Sequence, residues 1–243
     1  MTSVNTAGRI GGVVGAPEPR RTPSGRHEAR AARSNPTSTN PAYAAARKQS
    51  GGQVLRAGSS GPAVLALKNR LREQHYTVDE GPRFTQKTHH AVMAFQKVNG
   101  LQRDGVAGPR TLAALRAPKQ PDLGRGPADR VIVDLSEQVL YMVDNGRLKR
   151  VVNASSGDPN SPDGLGEATP QGQFRVFRHV RGPDRAPLGV LYDPSYFNGG
   201  IAVHGSPSVP AQRASHGCVR VPMHMSARIQ QDMPVGTTVI VRQ

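Results

Sequence analysis

A chain of 243 residues with 36% hydrophobic content has room for one medium domain beside a small one, or for two small domains and a tail, with part of its length left outside any core. Its 32 Lys and Arg against 17 Asp and Glu give a net charge of +15, so polyanions will gather near it, although charge alone does not choose among nucleic acid, membrane surfaces and anionic wall polymers. The single cysteine excludes an intramolecular disulfide and a Cys-rich zinc site, and no apolar run reaches the ~18–20 residues of a transmembrane segment.

Residues 1–53 are rich in Arg, Ala, Pro, Ser, Thr, Gly and Asn and almost free of large apolar side chains. Such a segment cannot bury enough surface to offset the entropy of ordering, which predicts a disordered arm, basic through Arg20, Arg21, Arg26, Arg30 and Arg33. The stretch 10–16 (IGGVVGA) is too short and glycine-rich for a signal-peptide core, so the chain as written shows no clear export signal.

From 54 to 117 the pattern is helical. Gly61-Pro62 opens a helix with Val64, Leu67 and Leu71 on one face; a second spans about 85–98 with Val92 and Phe95 on one face and Gly100 ending it; a short third carries Leu112 and Leu115 after Gly108-Pro109. The turns before Thr88 and Thr111 look alike, a weak internal repeat. Gly61, Leu67, Leu71, Thr88, Ala91-Val92, Phe95-Gln96, Gly100-Leu101, Asp104-Gly105, Gly108 and Thr111 together resemble the small three-helix peptidoglycan-binding domain. The sequence departs from that family at Gln74-His75-Tyr76, where a glycine usually precedes the aromatic. A generic three-helix bundle is the plainer alternative.

Residues 118–128 form a Pro/Gly linker, and from 129 to 243 the chain reads as β. Apolar runs at 131–135, 139–143 and 148–152 predict a meander, with Asn145-Gly146 suited to a tight type I′ hairpin turn. Further strands are expected at 174–180, 200–204 and 235–241, with a short helix at about 225–233. The fold class is therefore a mainly β domain, a sandwich or barrel, behind a small three-helix domain and a disordered arm.

The stretch 201–222 (IAVHGSPSVPAQRASHGCVRVP) holds two histidines and the only cysteine. A thiol becomes a strong nucleophile when an imidazole accepts its proton, and a third group should hold the imidazole tautomer. Gly217 lets the chain turn sharply before Cys218, and N–H groups around Gly217 and Cys218 could face an oxyanion, each such donor being worth ~3 kcal/mol in acyl transfer. Two other readings of the cluster stand beside this one: zinc held by His204, His216 and Cys218, although His-x-Cys is not a common zinc spacing, and a packed thiol with surface histidines.

Ser215-His216-Gly217-Cys218, preceded by His204-Gly205 in the run 200–205, and the segment 168–174 (ATPQGQF) resemble the catalytic domain of L,D-transpeptidases, the YkuD-type family. The resemblance spans about 130–242 and favours the nucleophile reading. It implies that Cys218 attacks the L,D amide between the third and fourth residues of a peptidoglycan stem, and that His204 acts as base and then acid. Gly205 O or the Ser206 side chain would orient His204, His216 would shape the pocket, and Ser215, Ser206 and Arg220 would line the substrate side. No metal or organic cofactor is implied. An amine of a second stem would resolve the thioester and cross-link third-position residues; water would make the enzyme an L,D-carboxypeptidase; a protein amine would make it a wall-attachment enzyme. The expected partners are stem peptides and, through the helical domain, wall glycan. A non-catalytic wall-binding protein and a nucleic-acid binder are the readings from other classes, and nothing resembling a base-reading module supports the latter.

Ten residues separate His204 from Ser215, fewer than is commonest in the family, and Arg220 stands where the family often has asparagine. An arginine there would suit a carboxylate, or pair with a nearby acid of the protein. The implied location is the cell wall or periplasm, in conflict with the missing export signal unless the N-terminus is trimmed or mis-started.

Overall fold

The computed structural model describes Gly52 and residues 54–243; the basic arm expected over 1–53 otherwise lies outside the described residues. Three helices lead: α1 (Pro62–Glu73), α2 (Gln86–Val98) and α3 (Pro109–Ala114). Proline opens α1 and α3, where the first N–H has no intrahelical partner to lose. Thr85 caps α2, its Oγ1 accepting from the Thr88 N–H at 3.5 Å.

The chain leaves α1 through His75, which is exposed and sits at φ 66, in the left-handed region where glycine is the usual occupant. The His75 carbonyl accepts from the Val151 N–H at 3.0 Å, and Tyr76 bridges to Val151. The residue that departs from the family pattern therefore occupies the backbone conformation that makes glycine common there.

The β part forms two five-stranded sheets. The first has the order β3-β2-β1-β10-β4, built from β1 (Arg130–Asp134), β2 (Val139–Asp144), β3 (Arg147–Asn153), β4 (Gly172–Arg175) and β10 (Thr238–Arg242). Only the β1–β10 pair is parallel. Asn145 and Gly146, at φ 51 and 74, turn β2 into β3 as a mirror-image turn requires. The second sheet has the order β5-β7-β8-β9: β5 (Arg178–His179), β7 (Gly189–Asn198), β8 (Ile201–Ser206) and β9 (Val219–Pro222), with β6 (Pro183–Ala186) paired to β7 and β8 parallel to β9. Helix α4 (Met223–Asp232) follows β9 directly.

The single strand expected over 174–180 is two short ones. Val176 N–H bonds Thr237 O at 2.9 Å and Phe177 N–H bonds Tyr196 O at 3.0 Å, so the chain crosses from the first sheet to the second at this point. The β6–β7 hairpin was not foreseen.

The first sheet is covered on both faces, which is why its central strands read as unbroken apolar runs. Val131, Val133, Leu140, Met142, Val152, Val239 and Val241 face Phe197, Val203, Val219 and Val221 of the second sheet together with Met225 and Ile229 of α4. On the opposite face Ile132, Val139, Tyr141, Val143 and Val151 share a core with Leu67, Leu71, Tyr76, Val92, Phe95 and Val98 of the helical part. Each large apolar side chain so covered contributes ~1.5–3 kcal/mol. Residues 118–128 are irregular, yet Leu123 packs against this shared core and the Arg130 guanidinium donates to Leu123 O at 2.9 Å. No helix among the described residues is long and apolar enough to cross a membrane.

Replacing His75 with glycine removes the left-handed penalty without touching a packed side chain. The variant should be more stable by ~1 kcal/mol in urea melts; a loss of stability would show that the His75 side chain matters to the junction.

Candidate active site

A cavity of about 940 Å³ opens in the second sheet and collects His204, Ser206, Ser215, His216, Cys218 and Arg220. Its far side is walled by the β6–β7 hairpin, whose exposed Leu188 and Val190 form part of the rim, and by Leu165 and Glu167 of the preceding loop.

His204 is buried on β8, and its register partner on the parallel neighbour is Arg220 of β9. Cys218, partly buried, ends the turn leading into β9, its Sγ 3.7 Å from Gly200 O. His204 Nδ1 lies 2.9 Å from Gly205 O, so as the donor it leaves Nε2 for the cavity. Of the two orienting groups considered, Gly205 O therefore makes the contact; Ser206 Oγ instead donates to Ser208 O at 3.0 Å.

Burial holds the His204 imidazole down to about 4, with Arg220 adding to the effect and the Gly205 contact opposing it. Burial pushes the Cys218 thiol above its ordinary value. Arg220 is partly buried, and among the described residues no carboxylate lies within ion-pair range of it. Across the cavity, Arg178 stacks 4.0 Å over the Tyr196 ring while Tyr196 donates to Asp184 at 2.7 Å; burial and then Asp184 push that phenol up to about 12.

The turn carrying Cys218 is held from both sides. Residues 155–158, just beyond β3, bond to it repeatedly: Ser155 and Arg220 exchange backbone hydrogen bonds at 3.0 and 2.9 Å, Ala214 and Ser215 N–H reach Ser156 O at 3.0 and 3.1 Å, and Asp158 N–H reaches Ser215 O at 2.8 Å. Within the turn, Ser215 Oγ donates to Cys218 O and accepts from Gly217 N–H. Thr169 donates to Gly217 O at 2.7 Å and accepts from Gly157 N–H at 2.9 Å. Gly217 itself has φ 121, which only glycine adopts without strain.

His216 lines the cavity as well, its Nε2 2.6 Å from exposed Asp163, whose carboxyl this contact holds down to about 2. The sequence reads Tyr196 as either pocket lining or core; it does not single out Asp163, Arg178 and Asp184, nor Glu167, although Glu167 adjoins the 168–174 segment. Among the described residues no group of three His, Cys, Asp or Glu side chains could hold a metal ion.

Gly157 touches this turn with no room for a side chain: a Cβ would lie 2.1 Å from Glu167 O and 2.7 Å from Gly217 Cα. Gly157→Ala should therefore cost ~1–3 kcal/mol in urea denaturation; an unchanged midpoint would mean that the contact yields freely.

Comparison with known proteins bears on the family and the fold. The family model for the L,D-transpeptidase catalytic domain, YkuD, matches residues 128–241, and a model of a peptidoglycan binding domain matches 60–115. The crystal structure of an L,D-transpeptidase from Xylanimonas cellulosilytica is 40% identical, covers 78% of this chain and 98% of its own, and superposes with a TM-score of 0.73. An L,D-transpeptidase from Stackebrandtia nassauensis is 22% identical over 78% of this chain and 95% of its own, at a TM-score of 0.48. No curated protein matches. On the 40% identity carried across nearly the whole of the Xylanimonas structure, the chain belongs to the L,D-transpeptidase family, with a peptidoglycan-binding domain ahead of its catalytic domain.

Proposed function

We infer that the chain is a cysteine acyl-transferase that cleaves the L,D amide of tetrapeptide stems and joins third-position residues of two stems, with Cys218 as nucleophile and His204 as base. The observation that carries this reading is a buried imidazole within β8 and a partly buried thiol just before the adjacent β9, both lining one cavity, with Nδ1 of the imidazole engaged by Gly205 O.

At neutral pH both partners start uncharged. As Sγ bonds to the stem carbonyl carbon, His204 Nε2 takes the thiol proton. Gly217 N–H is occupied by Ser215 Oγ, which leaves Cys218 N–H to receive the developing oxyanion. Collapse breaks the C–N bond, and His204 returns the proton to the departing D-residue amine. An amine of a second stem then attacks the thioester and gives its proton to His204, and the thiol leaves protonated. The unpaired Arg220 guanidinium suits a stem carboxylate, and the ordered turn through Ser215 keeps Cys218 in place rather than touching substrate. The helical domain holds the enzyme against wall glycan and raises its effective concentration on an insoluble substrate. The working site is outside the cytoplasm, in the wall or periplasm.

Mass spectrometry of the full chain incubated with a disaccharide tetrapeptide tests the reading. Loss of the terminal D-residue with a dimer joined between third-position residues is expected, and Cys218→Ala should abolish it while retention on insoluble wall survives. Tripeptide without dimer would make the enzyme a carboxypeptidase; no change, with Cys218 also unlabelled by a carbapenem, would leave a wall-binding protein.

The pH profile follows from the site. His204 is the base only while neutral, and its proton binds at about 4. Carbapenem acylation of Cys218 should hold from ~pH 8 to ~pH 6 and fall with a midpoint near pH 4. A midpoint near ~6.5, the free-imidazole value, would contradict the buried neutral base.

A further inference from the structure

Lys97 lies on α2 in the helical domain, and its side chain is fully buried. Every partner of its amine belongs to the β part: Gln138 O at 3.0 Å, Asn153 Oδ1 at 2.6 Å, Ala154 O at 2.8 Å and Pro210 O at 3.4 Å. No carboxylate is among them. A buried ammonium without a counter-ion is costly, and burial followed by Arg103 pushes this amine down to about 7. A residue that served only to glue two apolar surfaces would be better as leucine.

The acceptors explain the placement. Asn153 and Ala154 lead directly into 155–158, the segment that grips the Cys218 turn. Pro210 lies in the loop joining His204 to Cys218. Other bonds hold the same loop: Asn153 Nδ2 donates to Val209 O at 3.2 Å, Ser155 Oγ to Gln212 O at 2.7 Å, and Arg103 to Ala211 O at 3.5 Å. Gln138, whose carbonyl Lys97 also holds, donates through Nε2 to Ser156 Oγ and accepts from Ser156 N–H, both at 2.8 Å. One amine thus ties the β1–β2 turn, the end of β3 that leads into the gripping segment, and the base-to-nucleophile loop to a single point on the helical domain.

We propose that Lys97 is a positioning residue for acyl transfer: from the helical domain it sets the backbone that seats Cys218, so this domain completes the catalytic centre as well as holding the wall. The proposal rests on the cysteine acyl-transferase reading above. A misplacement of the nucleophile by a fraction of an ångström slows attack without weakening substrate contacts, so the loss falls on the rate constant.

The test compares the full wild-type chain with Lys97→Met, a side chain of similar length that lacks donors. Three quantities are read: the rate constant and half-saturation concentration for carbapenem acylation of Cys218, amide hydrogen exchange, and retention on insoluble wall. In the folded variant the rate constant should fall ~10- to 100-fold with half-saturation nearly unchanged. The Ser215 and Arg220 amides should exchange faster, the α1 amides should not, and wall retention should persist. A folded Lys97→Met chain with wild-type exchange at Ser215 and Arg220, or with a wild-type rate constant, overturns the proposal. If the variant does not fold, Arg103→Gln tests the same loop from a partly exposed position, with an expected ~3-fold drop in rate and faster exchange at Ser215; no change in either overturns it. A wild-type chain inert to both carbapenem and tetrapeptide sinks the transferase reading itself, whereas an active wild type with an unaffected variant sinks only the role of Lys97.

Discussion

The seating of residues 155–158 against the turn that ends at Cys218 is the constraint around which the rest is arranged. Gly157 lies so close to Gly217 that no Cβ fits on it, and Gly217 itself holds a φ of 121 that a side chain would strain. Thr169, a buried hydroxyl between them, serves both backbones at once. A flexible cysteine loop would have to be ordered at each turnover. Here the order is already supplied by strand ends on both sides, which is what preorganisation of a nucleophile requires.

That seating extends outward to the helical domain. The first sheet has no solvent face over its central strands, because Ile132, Tyr141 and Val143 go to the helices and Val131, Val133 and Met142 to the second sheet. Eight successive residues of α2, from Ala91 to Val98, are buried, which no helix lying on the surface of a sheet as a mere lid would show. The family match puts a wall-binding domain and a catalytic domain in one chain; the packing makes them neighbours across a common apolar layer with a buried lysine at its edge.

The parts written locally in the sequence were readable. Asn145-Gly146 specifies its turn by conformation, the Pro-initiated helices announce their starts, and His204 and Cys218 stand within one short stretch. What escaped was written at long range. Lys97 reads as a solvated lysine on a helix, and its partners lie 41 to 113 residues further on. The bond between His216 and Asp163 spans 53 residues, and the β6–β7 hairpin, punctuated by prolines, lacks the alternation that marks a strand. The strand crossing at 176–177 depends on which sheet offers a partner to each amide, a choice invisible to periodicity. His75 was noticed as a departure, but its meaning needed the dihedral angle.

The double covering of the first sheet also governs how such a chain can be divided. A fragment starting at 128, where the catalytic family match begins, would present Ile132, Val139, Tyr141, Val143 and Val151 to water as one contiguous patch. Such a patch favours self-association, so the isolated catalytic half would need its outer sheet face rebuilt with polar side chains before it could live alone in solution. Loss of the helical domain in a descendant gene would demand the same resurfacing, which couples the inheritance of the two halves more tightly than their separate family descriptions suggest.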